Sequence, residues 1–274
     1  CRSIIRVIVL WNSHKTMNTP KRPPTAPKHT VQGARVLGRI SGRPAVLCYS
    51  RKAGGIPALE SAGERVIAQL AELDPRVKSI SPQPFALDVT TGKVFTTRRD
   101  LEDARKARVR VNALRRDYTP DLLLVLHDGR RIIIEVKDPR HPLHPDYRAK
   151  LNTAQRIFAM RGEHFLLVPL QYTESAPLVH NTELLARALV HPLAPGVIHA
   201  VSEQIDTLLG GNQMALRDLM PALDLTLREA PALITAGVLG ADLARFVLNG
   251  CALVHAANGS LSHLELLPLE EVKP

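Results

Sequence analysis

Two carboxylates and an ammonium stand at a fixed spacing in the middle of the chain: Asp121, then thirteen residues, then Glu135-Val136-Lys137. Hydrolysis of a phosphodiester needs such a set. A hard cation polarises the phosphoryl oxygen and lowers the pKa of bound water, and carboxylate oxygens are the ligands it takes. Asp121 and Glu135 are therefore the expected holders of Mg2+, with Mn2+ as a substitute. Lys137 is placed to orient the attacking water or to stabilise charge on the pentavalent phosphorus. Taken singly, the same residues also read as a weak ion pair at a strand end. Their joint placement after Pro120, at the ends of successive apolar strands, favours catalysis.

The elements that must position them are a hairpin and its flanks. Apolar runs over 122–126 and 132–136 are separated by His127-Asp128-Gly129, and an Asp-Gly pair readily takes the φ > 0 conformations of a hairpin turn. Antiparallel pairing then brings Asp121 to the same end as Glu135 and Lys137. The latter two lie two residues apart and leave the same face of the strand.

A helix is expected over 58–73 from the spacing of Leu59, Val66, Leu70 and Leu73, with Pro57 at its start and Asp74-Pro75 at its end. Glu60 and Glu64 sit one turn apart beside that stripe and, on the helix alone, read as ordinary exposed carboxylates. Short strands are expected over 76–80 and 84–89. The segment 96–117 mixes charges of both signs around a helix over 101–109, the pattern of a solvated face that can also touch DNA without specificity. Beyond Lys137, His141 and His144 lie in a proline-rich loop and read as exposed spacers, because no cysteine or third histidine completes a zinc set. A helix over 146–160, with Tyr147, Leu151, Ala154, Ile157 and Phe158 as its apolar stripe, and a buried strand over 164–170 follow. This order gives an α/β layered domain with a mixed sheet.

Charge divides the chain of 274 residues, which carries a formal +10. Residues 1–59 hold 11 Lys/Arg and no Asp or Glu, residues 60–174 hold 20 against 16, and residues 175–274 hold 5 against 10. A polyanionic partner is expected to meet the front two thirds. Residues 17–30 are rich in Pro and Lys and read as a disordered basic arm. The run 4–11 is apolar but too short to span a bilayer, and Met17 is the expected start, with 1–16 as an upstream extension. A short hairpin is expected over 34–40 and 44–49. Cys1, Cys48 and Cys251 are widely spaced and form no CxxC pair, which argues against a disulfide framework or zinc knuckle and makes the cytoplasm the simplest compartment. The last hundred residues read as helices over 182–190, 197–209, 215–223 and 225–237, then a hairpin over 240–255 with Asn249-Gly250 at its turn. Arg228 is offset by Glu229 on the last of these helices, so protein docking is favoured over DNA reading there.

The whole pattern resembles the PD-(D/E)xK restriction-endonuclease-like nucleases. Its surroundings are similar to one branch of them, the TnsA-type endonuclease subunit of heteromeric cut-and-paste transposases. The resemblance rests on Ser61-Ala62-Gly63-Glu64 and the helix after it, Asp74-Pro75-Arg76-Val77, Gln83-Pro84-Phe85, Tyr118-Thr119-Pro120-Asp121 and Glu135-Val136-Lys137, and covers residues 60–170. It implies a restriction-endonuclease-like mixed sheet flanked by helices, followed by a mostly α, winged-helix-like C-terminal domain. It also brings Glu64 into the acidic cluster, so that Glu64, Asp121 and Glu135 would be the metal ligands and Lys137 the fourth catalytic residue. Some members carry Gln at the position of Glu135, and the segment 96–114 departs from the family pattern.

The expected domains are a basic N-terminal arm (1–30), a nuclease domain (31–174) and a partner-binding domain (175–274). The expected activity, as the resemblance implies, is Mg2+-dependent cleavage of the 5′ ends of a mobile element in the bacterial cytoplasm, at the nucleoid. The implied partners are double-stranded transposon-end DNA, a DDE-type transposase that cuts the other strand and an AAA+ ATPase regulator, with no membrane. Two alternatives use the same residues: a stand-alone restriction or repair endonuclease, and a non-catalytic DNA-binding assembly factor.

Overall fold

A hairpin with two apolar faces must be covered on both sides, and the computed structural model, which describes residues 30–31, 33, 46–108, 116–171, 173 and 176–269, has it so covered. The described chain opens with short strands β1 (Thr30–Val31), β2 (Val46–Leu47) and β3 (Ile56–Leu59), with β3 in the middle, parallel to β1 and antiparallel to β2. The basic arm before Thr30 and the expected strand over 34–40 lie outside the described residues.

Helix α1 (Ala62–Leu73) follows, and it begins four residues later than Pro57 suggests. Residues 56–59 are instead paired strand, with Leu59 fully buried. Ser61 is the N-cap, its hydroxyl accepting the Glu64 amide at 3.1 Å. At the other end Asp74 stops the helix, and its fully buried carboxylate accepts from Arg76 Nε at 3.0 Å and Nη2 at 2.7 Å.

The chain continues through β4 (Val77–Pro82), β5 (Ala86–Asp88), β6 (Val94–Phe95), α2 (Arg98–Arg108), β7 (Asp117–Tyr118), β8 (Leu122–Leu126), β9 (Arg131–Lys137), α3 (Pro145–Met160) and β10 (His164–Pro169). The principal sheet has the order β10-β9-β8-β4, antiparallel except for the parallel β9–β10 pair, so it is mixed. Period-2 alternation sorts the hairpin. Leu122, Leu124, Leu126, Ile132, Ile134 and Val136 share a core with α1, while Leu123 and Ile133 share one with Leu151, Ala154 and Phe158 of α3. The hairpin is thus buried on both faces, each Leu or Ile contributing roughly 1.5–3 kcal/mol by leaving water. Strand β10 is an edge strand, half-buried along most of its length. A second small sheet, β6-β5-β7, sits beside the first and pairs Leu87 with Tyr118.

The remaining elements are α4 (Pro177–Val190), α5 (Pro195–Leu209), β11 (Met214–Ala215), α6 (Leu216–Ala222), α7 (Ala230–Thr235), β12 (Leu239–Ala241), β13 (Leu253–Ala256) and a 3-10 turn at Ser262–Leu264. The three strands form an antiparallel sheet in the order β11-β13-β12. Two expectations are corrected here. The helix expected over 225–237 is only α7, because Glu229 turns back to take the amide and hydroxyl of Thr226 and Gly237 closes the other end at φ 73°. The expected tight turn at Asn249-Gly250 is part of a long connection over 242–252. The buried side chain of Asn181 in α4 holds that connection off the strand ladder, donating to Leu243 O at 2.8 Å and Phe246 O at 2.7 Å and accepting Leu248 N at 2.7 Å.

The C-terminal part also makes contacts with the first. Arg65 of α1 and Glu183 of α4 form an ion pair at 2.5 Å, and Leu267 and Leu269 are buried in the core around α1. No described helix is long and apolar enough to cross a membrane. Cys48 and Cys251 are both free thiols.

Candidate active site

The strand register places the hairpin residues. Leu122 faces Ile134, the Asp121 amide donates to Ile134 O at 3.1 Å, and the Asp121 carboxylate accepts the Val136 amide at 2.7 Å. Asp121, Glu135 and Lys137 therefore meet at the open end of the hairpin, away from the Asp128-Gly129 turn, where Gly129 has φ 90°. Glu135 shares the α3 face with Ile133 and is 1% exposed. Lys137 Nζ lies 2.5 Å from Glu135 Oε1.

Glu64 reaches this end from the first turn of α1 and is 6% exposed, which the helix pattern alone does not indicate. Its two oxygens accept the Ser61 hydroxyl at 2.9 Å and the Glu60 amide at 2.8 Å, a reciprocal cap of the helix N-terminus. Glu60, by contrast, is partly exposed, and its carboxylate accepts from Gln83 Nε2 at 2.9 Å.

Two residues outside the expected set contact the cluster directly. Tyr118 donates its hydroxyl to Glu135 Oε2 at 2.7 Å, and Tyr147 donates to Glu135 Oε1 at 2.6 Å. Periodicity assigns Tyr147 to the apolar stripe of α3, and its amphipathic ring does both jobs. Gln83, one of the residues on which the family resemblance rests, also joins the site. It is buried with φ 42°, its backbone N–H donates to Asp121 O at 2.9 Å, and among the described residues its side-chain oxygen has no partner. A non-glycine residue at positive φ costs of order 1–3 kcal/mol and is held only by its surroundings. Gly33 is part of that hold: a Cβ there would fall 2.5 Å from Gln83 Cβ and from Pro82 O.

The electrostatics follow from burial and crowding. Desolvation, then the charges of Glu135 and Glu64, pushes the Asp121 pKa well above the usual carboxylate range. Desolvation likewise raises Glu64, with Glu60 and Glu135 adding to it against its own cap hydrogen bonds. Burial and the Glu135 charge lift the Tyr118 phenol well above its ordinary value. Burial opposes the charge on Lys137, but the pull of Glu135, Asp121 and Glu64 outweighs it and raises its pKa.

Three carboxyl groups beside one ammonium present hard oxygen donors whose ionisation burial and mutual repulsion oppose. That donor set suits Mg2+ or Mn2+ rather than a thiophilic ion. Each carboxylate is at the same time engaged with donors of the protein, and among the described residues no three His, Cys, Asp or Glu side chains are drawn together closely enough to hold an ion as they stand. His141 and His144 do not join the cluster. Both are exposed, and His144 caps α3 by accepting the Asp146 amide at 3.4 Å.

No family model matches the chain, and no curated protein matches it significantly.

Proposed function

We propose that the chain is a metal-dependent DNA endonuclease with a restriction-endonuclease-like fold, acting as the TnsA-type subunit that cuts the 5′ ends of a mobile element. The observation that carries this reading is that Glu64, Asp121, Glu135 and Lys137 lie near enough for their charges to act on one another at one end of a sheet otherwise lined with aliphatic residues. Glu64, Asp121 and Glu135 would hold the cation through their oxygens. When bound, Mg2+ or Mn2+ supplies Lewis acidity toward the phosphoryl group and a nucleophilic water at neutral pH. Lys137, 27% exposed and tethered to Glu135, offers a fixed positive charge to the scissile phosphate. The buried aromatic and aliphatic side chains behind Glu135 lower the local dielectric and strengthen the pull of that charge on a phosphate oxygen.

The C-terminal half supports a docking role. From α5 onward its order of helix, strand, two helices and two strands, with the first strand beside the last, supports a winged-helix-like reading. The second of those two helices, α7, is Ala-Pro-Ala-Leu-Ile-Thr and carries no charge with which to grip phosphate. A DDE-type transposase and an AAA+ regulator in a bacterial cytoplasm are the partners this reading implies, with double-stranded transposon-end DNA as substrate.

One observation favours a second reading. Both oxygens of Glu64 are satisfied by its own helix end, as in a residue kept for capping, which fits a non-catalytic DNA-binding factor. Strand-resolved cleavage of transposon-end DNA, with and without transposase and ATPase, separates the possibilities. Partner-dependent 5′ nicking supports the proposal, cutting by the chain alone marks a free-standing nuclease, and no cutting under either condition leaves the assembly factor.

A further inference from the structure

Glu135 takes three donors: Tyr118 Oη at 2.7 Å on Oε2, and both Tyr147 Oη at 2.6 Å and Lys137 Nζ at 2.5 Å on Oε1. A carboxylate oxygen has two lone pairs in its plane, so Oε1 has none left over for a cation. The two tyrosines are held very differently. Tyr118 is 1% exposed, and its ring stands edge-on to Phe158 at 6.2 Å and tilted to Phe165 at 6.3 Å, so it cannot turn without opening the aromatic core. Tyr147 is partly exposed in the first turn of α3, just after the exposed loop 138–144. Lys137 Nζ and Lys150 Nζ lie 5.0 Å and 5.3 Å from its ring centroid. Both of these lysine side chains are long and flexible and can follow the ring.

We propose that Tyr147 is a latch on Glu135: its hydroxyl competes with the divalent cation for the carboxylate, so that loading the site opens the Tyr147–Glu135 hydrogen bond while Tyr118 keeps the carboxylate oriented. This inference rests on Glu135 being a metal ligand. The latch adds a third donor to a buried carboxylate that Tyr118 and Lys137 already pair before loading. It also makes loading depend on the first turn of α3. Both tyrosines are positioning residues in this scheme, and neither touches the reacting phosphate.

The test is calorimetric titration of Ca2+ and Mn2+ into the full chain without DNA, so that no turnover is read. Removing a hydrogen bond that competes at a charged oxygen corresponds to about tenfold in affinity. Tyr147→Phe, and Tyr147→Leu as a second variant, should bind about tenfold tighter than wild type, and Tyr118→Phe should bind more weakly because Glu135 loses its fixed donor. Equal or weaker binding by folded Tyr147→Phe and Tyr147→Leu overturns the latch. Wild type and Asp121→Asn binding equally, or neither binding, instead overturns the metal-site reading beneath it. A control for the hydroxyl itself is Tyr147→Phe without metal, whose circular dichroism should stay close to wild type while its melting temperature falls slightly, because the unloaded Glu135 has lost one donor.

Discussion

Ser61 and Glu64 cap each other at the start of α1, the Ser61 hydroxyl accepting the Glu64 amide at 3.1 Å and donating to the Glu64 carboxylate at 2.9 Å. The interaction gives Glu64 a structural duty alongside its proposed chemical one. Ser61→Ala should lower stability by about 1 kcal/mol, the ordinary cost of losing an N-cap, and is checked by urea denaturation. Nicking should fall as well, because the carboxylate then loses one of the bonds that fix its direction. A stability loss with full activity would mean that the cap does not position Glu64.

Substitution of the crowded carboxylates should stabilise the protein at neutral pH. The folded-state pKa values of Asp121 and Glu64 are raised, so the folded protein resists losing those protons. As pH rises through the ordinary carboxylate value the unfolded chain ionises first, and each group destabilises the fold increasingly until pH passes its raised folded-state pKa. Asp121→Asn and Glu64→Gln keep hydrogen-bond acceptors and remove that cost. Their melting temperatures should therefore exceed wild type at pH 8, with the difference shrinking toward pH 4. Added Ca2+ should raise the wild-type melting temperature and leave Asp121→Asn nearly unmoved. Melting curves at the two pH values, with and without Ca2+, check both statements.

Asn181→Ala should destabilise the C-terminal half by about 3 kcal/mol, because it strands buried backbone groups of the 242–252 connection. Limited proteolysis should then cut within that connection first. Cleavage elsewhere, with the connection still protected, would show that the amide is not what holds it.

Asp74 is fully buried and paired with Arg76, which also donates to Leu267 O at 2.8 Å and lies 3.3 Å from Glu265. Arg76→Met should cost roughly 3–5 kcal/mol by leaving a buried carboxylate without its partner. Asp74→Asn with Arg76→Met together should recover part of that loss, which a double-mutant cycle in denaturant measures.

The hairpin was legible in the sequence because its signals are local: alternating burial along two Leu/Ile runs and an Asp-Gly turn. The meeting of Asp121 with Glu135 and Lys137 followed from that alone. The start of α1 was misplaced because Pro57 suits a helix start, although Ser61-x-x-Glu64 is a stronger local cap signature. Tyr118 and Tyr147 were beyond reach as partners of Glu135. Their hydroxyls arrive through the pairing of β5 with β7 and the seating of α3 on the sheet, which no spacing encodes. In the C-terminal half the Asn249-Gly250 signal was overridden by Asn181, more than sixty residues away in the chain. Local propensity gave way to a buried polar contact worth several backbone hydrogen bonds.

Asp121 and Lys137 are the residues proposed to carry phosphodiester hydrolysis. Their role is tested most directly by quantifying 5′-end nicking of transposon-end DNA in Mg2+ by the wild type, Asp121→Ala and Lys137→Ala, each supplied with transposase and ATPase. The prediction is robust nicking by the wild type and a loss of at least a hundredfold, on the order of a removed charge-stabilising group, in both variants, with partner binding retained. Undiminished nicking by either folded variant would contradict it.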